Sequence, residues 1–258
     1  MATFNIATFN LRYDTASDGI NAWGNRREWV RDLIRYHGFD IFGIQEGLAN
    51  QVDFLAEDGT FDYVGGGRDD GKRAGEFSAI YYNKKRFKRH EFGTFWLSPT
   101  PDVPSKGWDA SLNRICTWAK LSDHASRGRD FYVFNTHFDH RGEEARRKSA
   151  ELILEKIKAI AGNKPFFFTG DLNSTPETPQ IKLLSAELRN SRVATETKPY
   201  GPYGTANGFD INRPLDMHID YIFVSKGIRV FKYAVLPDQW DKRYPSDHLP
   251  VVIEAELG

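Results

Sequence analysis

The sequence predicts an α/β fold in which mixed β-sheets carry helices on their outer faces. Three observations predict it. Strand-like and helix-like segments alternate along the whole chain. The middle third holds two pairs of aromatic-rich segments spaced as hairpins, which requires antiparallel pairing. Elsewhere strands are separated by helical stretches, as parallel crossovers require. The chain has 258 residues, with no linker-like stretch, no repeat and no low-complexity segment, so a single domain over 1–258 is expected.

Phe4 to Phe9 alternates with period two and reads as the first strand. Asn25-Arg26-Arg27-Glu28 fits a capping box. It opens a helix whose face carries Trp29, Val30, Leu33, Ile34 and His37. A strand at Ile41 to Ile44 and a short helix at Ala49 to Leu55 follow. Phe77 to Tyr82 and Phe87 to Trp96 read as a hairpin turned by Asn83-Lys84-Lys85. Cys116 to Leu121 and Phe131 to Asn135 read as a second, turned at Ser126-Arg127-Gly128. Glu143 to Ala161 is a strong helix, with Ile153, Ile157, Ile160 and Ala161 as its apolar stripe. Glu143/Arg147 and Glu144/Lys148 are spaced four apart on its outside. A buried strand at Pro165 to Phe168, a short helix at Glu177 to Leu184, and strands at Ile219 to Val224, Ile228 to Val235 and Val251 to Ala255 complete the order. Pro199 to Asp216 is the longest irregular stretch, a length often associated with function.

Acidic and basic residues balance to a net charge of zero, without the basic excess of a strong nonspecific nucleic-acid binder. The single cysteine, Cys116, lies in a strand pattern and reads as a core thiol. No apolar run approaches the roughly 18 residues of a membrane span. Met1 leads almost directly into a strand with no signal-peptide pattern, so a cytoplasmic location is expected; removal of a leader would make it secreted or periplasmic.

The chemistry concentrates at strand boundaries. The apolar run before Gly170 delivers Asp171 and Asn173 at a strand end. Asn10, Gln45-Glu46 and Thr136-His137 end other strands, and Ser246-Asp247-His248 precedes the last. The oxygen set Asn10, Glu46, Asp171, Asn173, Asp220 and Asp247 suits the hard cations Mg²⁺ or Mn²⁺, and no Cys/His cluster has zinc spacing. Phosphodiester hydrolysis needs charge neutralisation, an aligned water and a protonated leaving group, which one metal with His137 and His248 would supply. Asp220 on its strand is placed to hold the His248 tautomer. Gly66 to Lys72 nearly spells a phosphate-binding loop. Arg73 replaces the hydroxyl residue and a strand follows where a helix is needed, so a rim loop is expected instead. Lys84 to Arg89 is a basic run at a turn, read as a solvated face. Arg114 is a candidate phosphate grip. Trp23, Trp96, Trp108 and Tyr203 are candidates for pocket lining or core. His140 and His218 stand out among the remaining histidines by their closeness to these motifs.

Taken together, Thr8-Phe9-Asn10, Gln45-Glu46, Asn135-Thr136-His137, Gly170-Asp171-Leu172-Asn173, Ile219-Asp220-Tyr221 and Ser246-Asp247-His248 resemble, in order, the motifs of the endonuclease/exonuclease/phosphatase family. The resemblance covers nearly the whole chain. It implies a four-layer α/β sandwich, two mixed β-sheets packed face to face with helices outside, and divalent-metal-dependent phosphoester hydrolysis by in-line attack of water. By motif, Asn10 and Glu46 would hold Mg²⁺ (or Mn²⁺), with Asp247 nearby. Asp171 would orient or deprotonate the water and Asn173 would bind a phosphate oxygen. His248, oriented by Asp220, would act as base or stabilise the transition state. His137 would contact the phosphate and assist the leaving group. Glu76 resembles the glutamate that pairs with this histidine in deoxyribonuclease-like members. Thr136-His137 in place of a tyrosine looks less like the abasic-site endonucleases. Asn10 to Asp14 and Gly67 to Gly71 look like a bacterial branch of small soluble members. The phosphoester substrate stays open among nucleic acid, phospholipid and sugar phosphate, as does diester against monoester. Zero net charge favours a small or short one. Specificity is expected in the loops 14–24, 65–75, 98–113 and 199–216. No obligate protein partner is evident. A catalytically silent phosphate-binding module and a metal-free hydrolase with paired carboxylates are the alternative functions.

Overall fold

The computed structural model describes residues 2–126 and 128–258; Met1 and Arg127 of the expected second turn lie outside the described residues. In chain order the strands are β1 (Phe4–Asn10), β2 (Ile41–Gln45), β3 (Phe61–Val64), β4 (Ile80–Asn83), β5 (Phe87–Trp96), β6 (Ile115–Asp123), β7 (Arg129–His137), β8 (Phe166–Asp171), β9 (Arg189–Asn190), β10 (Asp220–Val224), β11 (Arg229–Val235) and β12 (Val251–Glu256). The helices are α1 (Arg27–Tyr36), α2 (Ala49–Ala56), α3 (Glu143–Ala161), α4 (Pro179–Glu187) and α5 (Ser191–Ala194). The strands form two six-stranded sheets, ordered β11-β12-β1-β2-β4-β3 and β5-β6-β7-β8-β10-β9. Each sheet has one parallel pair at its centre, β1 with β2 and β7 with β8, and the other pairs are antiparallel.

Period-two alternation builds the layers. In β1, Phe4 and Ile6 face the second sheet, where they meet Phe131, Val133 and Phe167. Ala7 and Phe9 face the other way, onto Val30, Leu33 and Ile34 of α1 and Val52 of α2. In the second sheet Phe134, Phe168 and Phe223 turn outward onto Ile153 and Ile157 of α3 and Ile181 and Leu184 of α4. The result is the expected four-layer sandwich, helix on sheet on sheet on helix. Cys116 is buried in the outer core under α3, where loss of hydration pushes its thiol pKa upward.

Two local expectations are corrected. The segments around β4 and β5 are not a hairpin. β4 pairs with β2 and β3 in one sheet, while β5 pairs with β6 in the other. The turn itself forms, with the Arg86 N–H on the Asn83 carbonyl and the Lys85 N–H on Asn83 Oδ1. It carries the chain between sheets because Arg86, instead of standing in solvent, is pinned to Asp40, Asp123 and the Thr3 carbonyl. The partners of β4 are β2 and β3, the latter a strand too short to stand out from periodicity. The second correction is at α1, where Asn25 is not the cap. Its amide bonds the Gly19 and Ile20 carbonyls, and Arg26 occupies the cap position without a side-chain cap bond. The second predicted hairpin is present as β6 and β7.

Candidate functional site

The strand directions gather the polar residues at one end of the sandwich. β1, β2, β7 and β8 are the two central parallel pairs, and Asn10, Gln45, His137 and Asp171 are their last residues. β10 runs antiparallel to β8 with Asp220 opposite Asp171, and β12 runs antiparallel to β1, so the residues just before it arrive at the same end. Glu46 and Asn173, just beyond β2 and β8, have φ of +62° and +46°. That left-handed turn is uncommon outside glycine and re-aims each side chain at the strand exit.

Asn10 is the bridge. Its Nδ2 donates to Glu46 Oε1 and to Asp171 Oδ2, each at 3.0 Å, joining the two sheets. Its Oδ1 accepts the Arg12 N–H at 2.9 Å. Asp171 also takes the Asn173 N–H on Oδ1 at 2.9 Å, and its Oδ2 lies 3.5 Å from His137 Nε2 and 3.7 Å from His248 Nε2. His248 Nδ1 is 2.9 Å from Asp220 Oδ2, which also accepts from Thr205 Oγ1 at 2.6 Å. Asn173 Nδ2 donates to the Phe138 carbonyl and contacts His137 Nε2, both at 3.0 Å. An amide NH₂ has no lone pair to offer, so His137 Nε2 is the acceptor and Nδ1 carries the proton.

Burial and like charge set the protonation. Asp171 is fully enclosed beside Asp220, and its pKa is pushed up to about 7. Asp247 rises as well, through burial and the Glu46 charge, against the pull of His248, Arg12 and Arg26. Burial works against a charged His248, but Asp220 and Asp171 outweigh it and raise its pKa well above the usual imidazole value. His137 goes the other way, lowered by burial and by Arg114 and Arg68. Asp171, Asp220 and His248 offer ligand atoms within 4.8 Å of one another.

A family model described as the endonuclease/exonuclease/phosphatase family matches residues 2–248 of the chain. The chain belongs to this family. A mannosyl-6-phosphatase of Bacteroides thetaiotaomicron is similar to this endonuclease/exonuclease/phosphatase chain at 40% identity and a TM-score of 0.94, over 98% of this chain and 99% of that one. A family protein from Bacteroides vulgatus is 38% identical with a TM-score of 0.95, over 100% of both chains. An uncharacterized protein of Acanthamoeba polyphaga mimivirus is 29% identical over 282 residues, spanning 99% of this chain and 100% of that protein. The family match and the full-length similarity to a protein described as a phosphatase are those of a phosphoester hydrolase. No helix among the described residues is long and apolar enough to cross a membrane.

Within this family frame, the structure brings Asn10, Glu46, Asp171, Asn173, Asp220, His137 and His248 into one bonded network. Asp247 adjoins it: its backbone carbonyl takes the Asn207 and Gly208 N–H groups, and its carboxylate lies in the field of Glu46 and His248. Glu76 stands beside His137, as expected, and is shared with Arg68. Its Oε2 is 4.0 Å from His137 Nδ1 and 2.6 Å from Arg68 Nη1, because Arg68 on the rim loop takes the carboxylate. Arg114 is buried against Asp139 and His140, with Nη1 unpartnered. Trp23 and Trp96 are core residues, the latter donating Nε1–H to the Arg68 carbonyl. His218 packs on Tyr221.

Two residues that periodicity does not mark hold this site. Arg26 is 1% exposed and donates to the carbonyls of Asn21, Leu11, Pro245 and Arg12 at 2.7, 2.6, 2.9 and 2.8 Å. It therefore ties the segment after Asn10 to the segment before Asp247. In sequence it looks like one more helix-start charge. Asp139 accepts from the N–H groups of Arg141, Gly142 and Ser111 and from Ser111 Oγ, locking the 111–114 loop to the start of α3. Its signal was an Asp three residues ahead of a glycine at a helix start, an Asx-turn pattern.

Proposed function

We propose that this chain is a divalent-metal-dependent phosphoester hydrolase that directs a water in line at phosphorus, with phosphorylated sugars as its substrates. The observation that carries the reading is the Asn10-centred junction, where a Glu46 and an Asp171 oxygen converge on one amide at 3.0 Å beside the His248–Asp220 pair. The sugar phosphate is favoured by full-length 40% identity to a mannosyl-6-phosphatase and by a net charge of zero, which suits a small anion over a long nucleic acid.

The donor set fits a hard cation. Glu46 and Asp247 offer carboxylate oxygens, and Asn10 an amide oxygen that here accepts the Arg12 N–H, beside a region where two carboxyl pKa values are raised by burial first and by neighbouring acids second, the situation a divalent ion relieves. Those three residues would hold Mg²⁺ or Mn²⁺, which supplies charge neutralisation for the phosphate oxygens. Asp171 orients the attacking water and takes its proton; a carboxylate with a pKa near 7 is well matched to that task. His248, kept cationic by Asp220, faces the same carboxylate and stabilises charge growing on phosphorus-bound oxygen. Both amide hydrogens of Asn173 are engaged, so a phosphate oxygen bound there takes the hydrogen now given to His137. His137 is then released to turn towards the leaving oxygen, backed by the Glu76–Arg68 pair.

The test is phosphate release from mannose 6-phosphate, p-nitrophenyl phosphate, bis-p-nitrophenyl phosphate and a single-stranded oligonucleotide, with EDTA and with restored Mg²⁺ or Mn²⁺. Sugar monophosphate turnover that vanishes in EDTA and returns with metal is expected. Undiminished turnover in EDTA, or hydrolysis of none of the esters, removes the reading.

A further inference from the structure

The floor and the rim of the cleft are chemically different. Asn10, Asp171, His137 and His248 are at most 8% exposed and define where a phosphate would sit. His140 is exposed, three residues beyond His137, and its Nδ1 lies 3.0 Å from Nη2 of Arg114, which lines one small cavity together with His137, Glu76 and Arg68. It is therefore at the mouth of the same cleft, where the alcohol half of an ester would project.

Its protonation is fixed by a neighbour. Arg114 Nη2 lies 3.0 Å from His140 Nδ1. A guanidinium has no acceptor, so Nδ1 is the lone-pair nitrogen and Nε2 carries the hydrogen. Nε2 has no partner among the described residues. Burial and the Arg114 charge both push the imidazole towards neutrality. The support is rigid as well. Arg114 is 4% exposed with Nε 3.4 Å from Asp139 Oδ2, and that carboxylate binds both loops beneath His140. A side chain at Gly142 would strike Asp109 Oδ1 at 2.5 Å, which leaves little room for the rim to shift.

We propose that the Arg114–His140 pair selects the alcohol half of the substrate, with His140 Nε2–H donating to a hydroxyl oxygen of the phosphorylated sugar. The assignment rests on the sugar-phosphate hydrolase reading and deepens it. A fixed neutral donor discriminates polyols from aryl or lipid alcohols, which lack an acceptor at that position.

The experiment compares kcat/KM on mannose 6-phosphate and p-nitrophenyl phosphate for the wild type, His140→Ala and His140→Gln. One donor bond to a hydroxyl predicts that the sugar-to-aryl ratio falls roughly three- to tenfold in His140→Ala, mainly through KM, and is largely restored in His140→Gln, which keeps an N–H at similar reach. A parallel ¹⁵N titration of the wild type reads the ring directly. The Nε2–H tautomer is expected, with its resonance moving on addition of mannose 6-phosphate but not of inorganic phosphate. An unchanged ratio in His140→Ala, or an Nδ1–H tautomer, overturns the assignment. If the wild type hydrolyses neither ester, the hydrolase reading fails and the titration alone decides the pair: no movement of His140 overturns it.

Discussion

Asn135 offers the most direct test of how the two sheets are joined beneath the site. It is fully buried in β7 and faces the other sheet. Its Nδ2 donates to the Ile44 and Ala79 carbonyls at 2.7 and 3.0 Å. Its Oδ1 accepts from Gln45 Nε2 at 2.7 Å and from Thr169 Oγ1 at 3.0 Å. Gly43 makes the approach possible, since a Cβ there would lie 2.3 Å from Asn135 Oδ1. Four bonds at about 0.5–1.5 kcal/mol each give roughly 2–6 kcal/mol. Three of the partners keep another bond after truncation: Gln45 to Thr8, Thr169 to the Phe134 carbonyl, and the Ala79 carbonyl to the Ile44 N–H. The expected cost of Asn135→Ala is therefore in the lower half, about 2–4 kcal/mol, and it shifts Tm by roughly 5–15 °C in a chain of this size. Asn135→Asp is nearly isosteric but turns two donors into acceptors facing two carbonyl oxygens, so it should be the worse variant. Urea unfolding of both, with unchanged m, measures this. An Asn135→Ala midpoint within about 0.5 kcal/mol of wild type, or an Asp variant no worse than Ala, refutes the inter-sheet buckle as the reason for this residue.

Asp220→Asn should drop the His248 pKa, since burial then acts without its largest opposing charge, and should slow hydrolysis by roughly 10- to 150-fold at neutral pH, the worth of a charge-assisted bond; NMR titration and kcat report the two effects. Asp171 binds its proton more tightly folded than unfolded, so in EDTA it contributes stability below about pH 4 that is lost as pH rises through its folded pKa of about 7. Urea midpoints at pH 5 and pH 8 should therefore differ less in Asp171→Asn than in wild type, the same variant whose turnover should be lower by orders of magnitude. Arg26→Met removes four buried charge-assisted bonds and should weaken Mg²⁺ binding in calorimetry besides lowering Tm, and Arg26→Lys should not restore either, because an ammonium cannot span the four carbonyls.

The strands and their polar ends were legible because both are local. Alternation at Phe4 to Phe9 and the apolar run before Gly170 each fix a direction, and the residue that ends the run is delivered to a strand exit. The pairing of β4 and β5 was not legible: two strands joined by a short turn read as a hairpin, and nothing nearby reports that Arg86 is held by Asp40 from another segment. Glu76 was identified beside His137 but its shorter contact was not, since Arg68 reaches it from a loop otherwise read only as a rim. Arg26 and Asp139 escaped for a related reason. Their bonds run largely to backbone groups, which every residue possesses, so no side-chain pattern in the partner segments announces them.

The placement of the site follows from a conflict in the fold. Two central parallel pairs, one in each sheet, deliver their last residues to the same end, and the sheets are close enough there for Asn10 to bond Asp171 directly. Further down the sandwich that closeness is filled by apolar residues such as Ile6, Ile41 and Val133. One layer up it is filled by Thr8, Gln45, Asn135 and Thr169, neutral polar groups bonded to one another, with Gln45 Oε1 left without a partner among the described residues. At the top the residues are acids: burial, with the charge of neighbouring acids added to it, raises the pKa values of Asp171 and Asp247. Only part of that charge is answered internally, by His248 and by Arg12 and Arg26 from the side. Apolar, neutral polar and anionic layers thus follow in order along the same strands. The sandwich that holds the first two together forces the third into a volume where the cation of the proposed function would complete the charge balance.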